Sequence, residues 1–284
     1  VTPRTWTGKD TWVKRRKEEK KWKDVIVYDG ISLAQWLDES PAVSRWFASQ
    51  GYAGVCSSEG IITADERWKE WSCLEQLQLQ PGCVLAGRDV ARVELIKLLE
   101  GDPSIIEVRA STKGEAIAFI LATMKASAPE LSDRFFSTTL IIDQEDRFRS
   151  VSSSAQHALN LIVQFESTDP LGVATKNGHH VLGPLGADDV FSQESITLPA
   201  VDREALIEAL EASGLSRSKA STLTKESGHD ITILKKLLGF PSYGATWIKT
   251  QPIREIVPAL LLGRWDESYP GDIELLEKLS GTSY

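Results

Sequence analysis

Residues Ile105-Ile106-Glu107-Val108-Arg109-Ala110-Ser111-Thr112-Lys113-Gly114-Glu115-Ala116-Ile117-Ala118-Phe119-Ile120-Leu121 decide the fold. Ile105 to Val108 reads as a short strand, and Gly114 to Lys125 reads as a helix. The small and hydroxylated residues Ala110, Ser111 and Thr112 stand between them as a turn. A strand passing directly into a helix is the first half of a βαβ unit and predicts a parallel sheet.

The alternation continues downstream. Strands are expected at Thr139 to Ile142, Leu159 to Phe165 and His180 to Leu182, so residues 82–200 read as an α/β core with a mainly parallel sheet flanked by helices. Three short helices follow, Asp202 to Ala212, Ser216 to Glu226 and Ile231 to Leu238, with Gly214, Gly228 and Gly239 as stops. They make an all-helical appendage over residues 201–240, and residues 241–284 read as a helical tail. Upstream, seven of the nine tryptophans (Trp6, Trp12, Trp22, Trp36, Trp46, Trp68, Trp71) fall in the first 71 residues, which marks a boundary near Pro81-Gly82. The segment 1–81 is expected to be a small α/β or mainly helical unit. Within it Val25-Ile26-Val27-Tyr28 reads as a strand and Ser32 to Phe47 as amphipathic helix interrupted by Pro41. Tryptophans at this density fill a core or dock one domain on another.

A chain of 284 residues with 42% hydrophobic content can bury a sizeable core. No apolar run reaches about 18 residues and the N-terminus lacks the apolar centre of a signal peptide, which points to a cytoplasmic protein without membrane contact. Cys56, Cys73 and Cys83 are odd in number and have no CxxC spacing, so neither a disulfide framework nor a zinc site is indicated. Met124 is the sole methionine and Val1 opens the sequence, which therefore reads as part of a longer multidomain polypeptide. Other domains of that polypeptide, and a second copy of the chain, are the expected partners. Net charge is −8, but residues 1–24 carry nine Lys/Arg against four Asp/Glu, a net +5 that leaves −13 elsewhere. An acidic body is a poor generic nucleic-acid binder. The basic run within residues 12–23, with Trp12 and Trp22, has the interleaved cations and aromatics that suit single strands. Glu18 and Glu19, spaced to pair with neighbouring lysines, favour a solvated helix face instead.

Counted back from Gly114, the turn has the context of GxxxxGK(S/T), in which backbone amides cradle phosphates, the lysine neutralises them and the hydroxyl holds magnesium. Here Arg109 stands at the first glycine, Glu115 at the lysine and Ala116 at the hydroxyl. A carboxylate at the lysine position repels phosphate. The candidate nucleotide contacts are then Ser111, Thr112, Lys113 and Gly114, with Lys113 swinging in from the preceding position. Downstream, Thr139-Leu140-Ile141-Ile142-Asp143 has the strand-then-aspartate form that orients a magnesium shell, which makes Asp143 the candidate metal ligand. Glu145 and Asp146 are the candidate catalytic bases of an active site. His179-His180 with Asp188-Asp189 offers metal-type residues, but neighbours on a strand face opposite ways. Ser152 to Ser154 beside His157 lacks the glycine frame of a nucleophile elbow.

Val84-Leu85-Ala86-Gly87-Arg88-Asp89, the helix after it, the altered turn, the Asp143 strand and the helical triplet together resemble the STAND signal-transduction ATPases of the AAA+ superfamily, over roughly residues 82–238. The resemblance implies a P-loop NTPase-like core with a helical lid, Gly87 and Arg88 beside an adenine, and ATP or ADP with magnesium as ligand. Glu226-Ser227-Gly228-His229-Asp230 resembles the last lid helix, without the arginine that often follows it; Thr232 stands nearby, with Lys235 and Lys236 a turn later. Leu260-Leu261-Leu262-Gly263-Arg264-Trp265 and Gly271-Asp272-Ile273-Glu274-Leu275-Leu276 resemble the junction into the next module of long bacterial sensor proteins. Thr2-Pro3-Arg4-Thr5-Trp6 with Trp22-Lys23-Asp24-Val25 is similar to segments that follow a nuclease-like domain. The expected function is a non-hydrolysing regulatory, oligomerisation or scaffolding module of a bacterial sensing or defence protein, with no cofactor or with weakly held ATP or ADP and magnesium. The alternatives are a slow ATP-binding switch through Lys113, Asp143 and Arg88, and a nucleic-acid-binding module through the basic run.

Overall fold

The structure is a computed structural model that describes residues 6–49, 60–74, 77–155, 157–166, 170–190 and 195–239. Cys56, Thr2 to Thr5 and the tail 241–284 lie outside the described residues. Two compact units, Val1–Thr232 and Ile233–Tyr284, divide the chain. The elements from the N-terminus to the first residues of the last helix belong to the first unit.

That unit opens with α1 (Lys9–Glu18), α2 (Gly30–Glu39) and α3 (Pro41–Ser49). Asp29 caps α2: its carboxylate accepts from the Ser32 N–H at 2.9 Å and the Ser32 hydroxyl at 2.8 Å. Pro41 begins α3, where its fixed φ suits a first helical position and its missing N–H costs nothing. The expected strand at Val25 to Tyr28 does not form; among the described residues no strand pairs with it. An isolated β-branched run has no ladder to join there.

Next come β1 (Ile61–Thr63) and α4 (Ala64–Ser72), joined by a capping box in which Thr63 and Glu66 exchange side-chain and backbone bonds. A two-stranded hairpin, β2 (Cys73–Leu74) with β3 (Leu77–Gln78), leads to α5 (Gly82–Leu85) and α6 (Asp89–Leu99). The alternating core is β4 (Ile105–Arg109), α7 (Lys113–Lys125), α8 (Pro129–Thr138), β5 (Thr139–Ile142), α9 (Glu145–Ser154), β6 (Asn160–Val163), α10 (Leu171–Lys176), β7 (His180–Leu185) and β8 (Ile196–Thr197). Three helices close the described chain: α11 (Arg203–Ala212), α12 (Arg217–Glu226) and α13 (Ile231–Gly239).

The main sheet runs β1-β5-β6-β7-β4-β8. Its last five strands are parallel and β1 alone is antiparallel, so the molecule is an α/β protein with a mixed, mostly parallel sheet flanked by helices. β1 comes from the Trp-rich segment, so the composition boundary at Pro81-Gly82 cuts across one sheet. Trp68 and Trp71 on α4 are buried and stacked, with ring centroids 5.6 Å apart. Trp6, Trp22 and Trp36 remain exposed.

One face of the sheet presents Leu140, Ile142, Leu161, Val163 and Val181 to Phe148 of α9 and Leu171 and Ala174 of α10. α7 packs on β4 and β7. It is buried at every residue from Glu115 to Met124, an all-round burial that only a central helix shows. The chain leaves β4 for β5, beyond β7 and β6, then steps back and passes over β4 to β8. The carboxyl end of β4 is therefore a topological switch point, where open α/β sheets place their ligands.

The Asp29 cap gives a pH test. The Ser32 N–H, then the Ser32 hydroxyl, hold this carboxyl down at about 2 from its ordinary 3.8. A folded value below the unfolded one means that the cap's contribution is complete above 3.8 and is lost as the pH falls toward 2. Asp29→Ala is expected to lower the urea midpoint at neutral pH, and the gap between variant and parent should close through that acid window.

Candidate functional site

The candidate site is the turn between β4 and α7 with what surrounds it. β4 runs through Arg109 and α7 begins at Lys113, so only Ala110, Ser111 and Thr112 connect them. Thr112 is the N-cap of α7, its hydroxyl accepting from the Glu115 N–H at 3.1 Å. The same hydroxyl lies 3.3 Å from that of Thr232, at the start of α13. Gly114 sits inside the helix with ordinary φ, and an added Cβ would meet nothing closer than Thr112 Oγ1 at 3.9 Å. Nothing in the local backbone demands a glycine there.

Lys113 is half-exposed and already neutralised. Its Nζ is 3.4 Å from Asp189 and 3.9 Å from Glu166. Asp189 in turn accepts from the Gly186 N–H at 2.7 Å, which, ahead of the Lys113 charge, pulls its carboxyl below the usual range. Gly186 packs close enough that a Cβ on it would lie 3.8 Å from the Lys113 nitrogen. The turn after β7 thus covers the amino end of α7 and sets a carboxylate beside it, the charge that a helix N-terminus favours. A cavity of about 420 Å³ opens alongside, with Glu107, Lys113, Gln164, Glu166 and Asp189 among its lining residues. A larger one of about 810 Å³ lies elsewhere, between α2, α3, α4 and α8.

Glu115 points into the interior. Its Oε1 accepts from Arg88 Nη2 at 2.6 Å, and the two side chains are 2% and 3% exposed. The other guanidinium donors are also used: Nε bonds the Pro199 carbonyl at 2.9 Å and Nη1 the Val84 carbonyl at 3.1 Å. Glu115 Oε2 is buried without a hydrogen-bond partner. The residue expected beside an adenine and the one at the lysine position of the phosphate loop are thus partners in one buried ion pair.

Gly87, just before Arg88, has φ of 71°, and a Cβ on it would come 2.6 Å from the Cβ of Asp202. Asp202 caps α11 and donates its own N–H to the Ala86 carbonyl at 3.1 Å. Gly87 is therefore required by a left-handed turn and a close approach.

The other expected residues are not brought to this turn. Asp143 follows β5, and β6 and β7 stand between that strand and β4. Three inter-strand steps amount to about 14 Å. Asp143 is exposed, its N–H bonded to the Gly60 carbonyl of the edge. β6 lies one step nearer to β4 than β5 does, and the residue that follows it is Gln164 rather than a carboxylate. Glu145 and Asp146 form the first turn of α9, with Glu145 bonded to Arg149. His179 is buried as a connector: its Nδ1 accepts from the Leu159 N–H at 3.1 Å, and its Nε2 lies 3.0 Å from the Ser152 carbonyl. Burial lowers the pKa of His180, opposed by a bond to the Gly101 backbone. The hydroxyls of Ser152 to Ser154 bond carbonyls of their own helix. Among the described residues no group of three or more His, Cys, Asp or Glu side chains could hold a metal ion.

The Arg88–Glu115 pair was missed from the sequence, although it left a signal: a carboxylate heading an unbroken apolar run must find a cation if that run is buried. No family model matches this chain, and no curated protein matches it.

Two measurements test these assignments. Glu115→Ala or Arg88→Ala alone should cost about 3 to 5 kcal/mol in urea unfolding, because each strands a buried charge, whereas Arg88→Met with Glu115→Leu should cost less than either. Gly87→Ala should destabilise by about 1 to 3 kcal/mol, while Gly114→Ala should be neutral or stabilise by up to about 1 kcal/mol.

Proposed function

We propose that the core from α5 to β8 is a P-loop NTPase-like domain, with α11 and α12 as part of its lid, that has lost nucleotide hydrolysis. On this reading it serves as a regulatory, oligomerisation or scaffolding module of the STAND or AAA+ kind in a bacterial sensing or defence protein. The observation that carries it is the Arg88–Glu115 ion pair. It commits to the protein's own interior the two residues that such a site would turn toward adenine and phosphate. The pairing of Lys113 with Asp189 supports the same reading, since it sets a carboxylate beside the cation that would meet phosphate. The strand–turn–helix at a switch point supports the fold assignment.

A second reading, a slow ATP-binding switch through Lys113, Asp143 and Arg88, draws on one feature: the half-exposed Lys113 borders an open cavity of about 420 Å³. One experiment separates the two. Thermal unfolding with millimolar Mg-ATP is expected to match unfolding without it. A ligand present at a hundred times its dissociation constant would add about 2.7 kcal/mol, which is roughly 5 to 10 °C for a domain of this size. A reproducible rise of that order would replace the first reading with the second.

A further inference from the structure

We propose that α1 and the residues just after it, 9–23, form a docking arm for single-stranded nucleic acid, a role separate from the chemistry of the β4–α7 turn. α1 buries none of its residues. Lys9 ties it to the unit, with Nζ 2.9 Å from the Ser32 hydroxyl and 3.5 Å from Asp29. Three further cations are spent locally: Arg16 on Glu19 at 3.0 Å, Lys21 on the same carboxylate at 3.9 Å and Lys17 on Asp24 at 2.8 Å. Lys14, Arg15, Lys20 and Lys23 are exposed and have no ion-pair partner among the described residues.

Aromatic planes accompany these charges. Trp22, between Lys20 and Lys23, is 69% exposed. Trp6 and Trp12 lie 5.5 Å apart, and the Arg16 guanidinium sits 5.2 Å over the Trp12 ring. Lys20 holds φ of 48°, a left-handed conformation unusual for a side-chain-bearing residue, which ends α1 ahead of Trp22. Exposed indoles beside uncommitted cations are what a single strand needs, because bases stack on the rings while phosphates meet the charges. A membrane surface is disfavoured: the α1 sequence KDTWVKRRKE has no broad apolar face to bury in lipid. An acidic protein surface would use the cations and leave Trp22 in water. The net +5 over residues 1–24 contrasts with −13 for the rest, so the arm carries the charge that complements a polyanion on an otherwise acidic chain.

The test is fluorescence anisotropy of a labelled oligothymidine of about 15 nucleotides, near the upper site size of a single binding module, titrated with the full chain. Four free cations predict a salt slope near −2.8, so affinity should fall about 50-fold between roughly 50 and 200 mM salt. Trp22→Ala should weaken binding at least about fivefold, and Lys20→Glu with Lys23→Glu should abolish it. These positions are exposed, so both variants should unfold at the parent temperature. Failure to bind at low salt overturns the proposal. So does salt-sensitive binding indifferent to Trp22→Ala, which marks attraction to any polyanion. Salt-dependent self-association without oligonucleotide binding, lost in the double lysine variant, overturns it in favour of an arm that docks on the acidic body of a second copy.

Discussion

Arg88 and Glu115 meet at 2.6 Å where almost no water reaches them, and the surrounding elements are arranged by that meeting. Arg88 comes from the turn between α5 and α6, Glu115 from the first turn of the central helix, and the carbonyls that share the guanidinium belong to Val84 of α5 and to Pro199, just after the edge strand β8. A guanidinium presents its donors in a fixed planar fork, so three acceptors from three parts of the chain fix its position and one another's. The neighbouring Gly87 turn extends the clamp to the helical appendage through Ala86 and Asp202. Burying two charges is expensive, and the Coulomb attraction offsets this only when geometry and additional bonds are good. Arg88 meets that condition fully. Glu115, with one oxygen unpartnered, meets it in part. The pair is better understood as a fastener that specifies how these elements assemble than as a large net source of stability.

This fastener also bears on the chemistry of the turn between β4 and α7. A lysine at position 115 would place a second cation against a buried guanidinium, so the carboxylate at 115 and the arginine before α6 belong to one arrangement. The short turn agrees with it. With three residues between β4 and α7, there is little backbone to wrap around a phosphate, and the Thr112 hydroxyl already takes the Glu115 N–H that such an anion would seek.

Much of this architecture was legible because periodicity is local. The strands at 105, 139 and 180 and the helices of the appendage follow from runs of apolar residues and from glycine stops; all formed within a residue of expectation except β7, which runs three residues further, to Leu185. Strand order is not local. Thr139 to Asp143 reads the same wherever in the sheet it lies, so the sequence could not reveal that β6 and β7 would separate Asp143 from the β4 turn. The three residues of β1 were equally silent, too short to show a period of two, yet their pairing with β5 joins the Trp-rich segment to the core. Tryptophan density implies packing, which holds for the stacked Trp68 and Trp71. It fails for Trp22, whose neighbours are charged and solvated and which has no apolar face to join.

The contact between Thr112 and Thr232 bears on how the lid would be set. In a nucleotide-driven switch, a ligand sits between phosphate loop and lid, and its loss or hydrolysis changes their relation by changing the contacts each state makes. Here the start of α13 reaches the N-cap hydroxyl directly, and Asp230 caps that helix by accepting from the Thr232 N–H at 2.7 Å. Two neutral hydroxyls 3.3 Å apart form an exchangeable bond worth about 1 kcal/mol. Thr232 is therefore held against the turn by the chain's own hydroxyl pair, with no ligand between them.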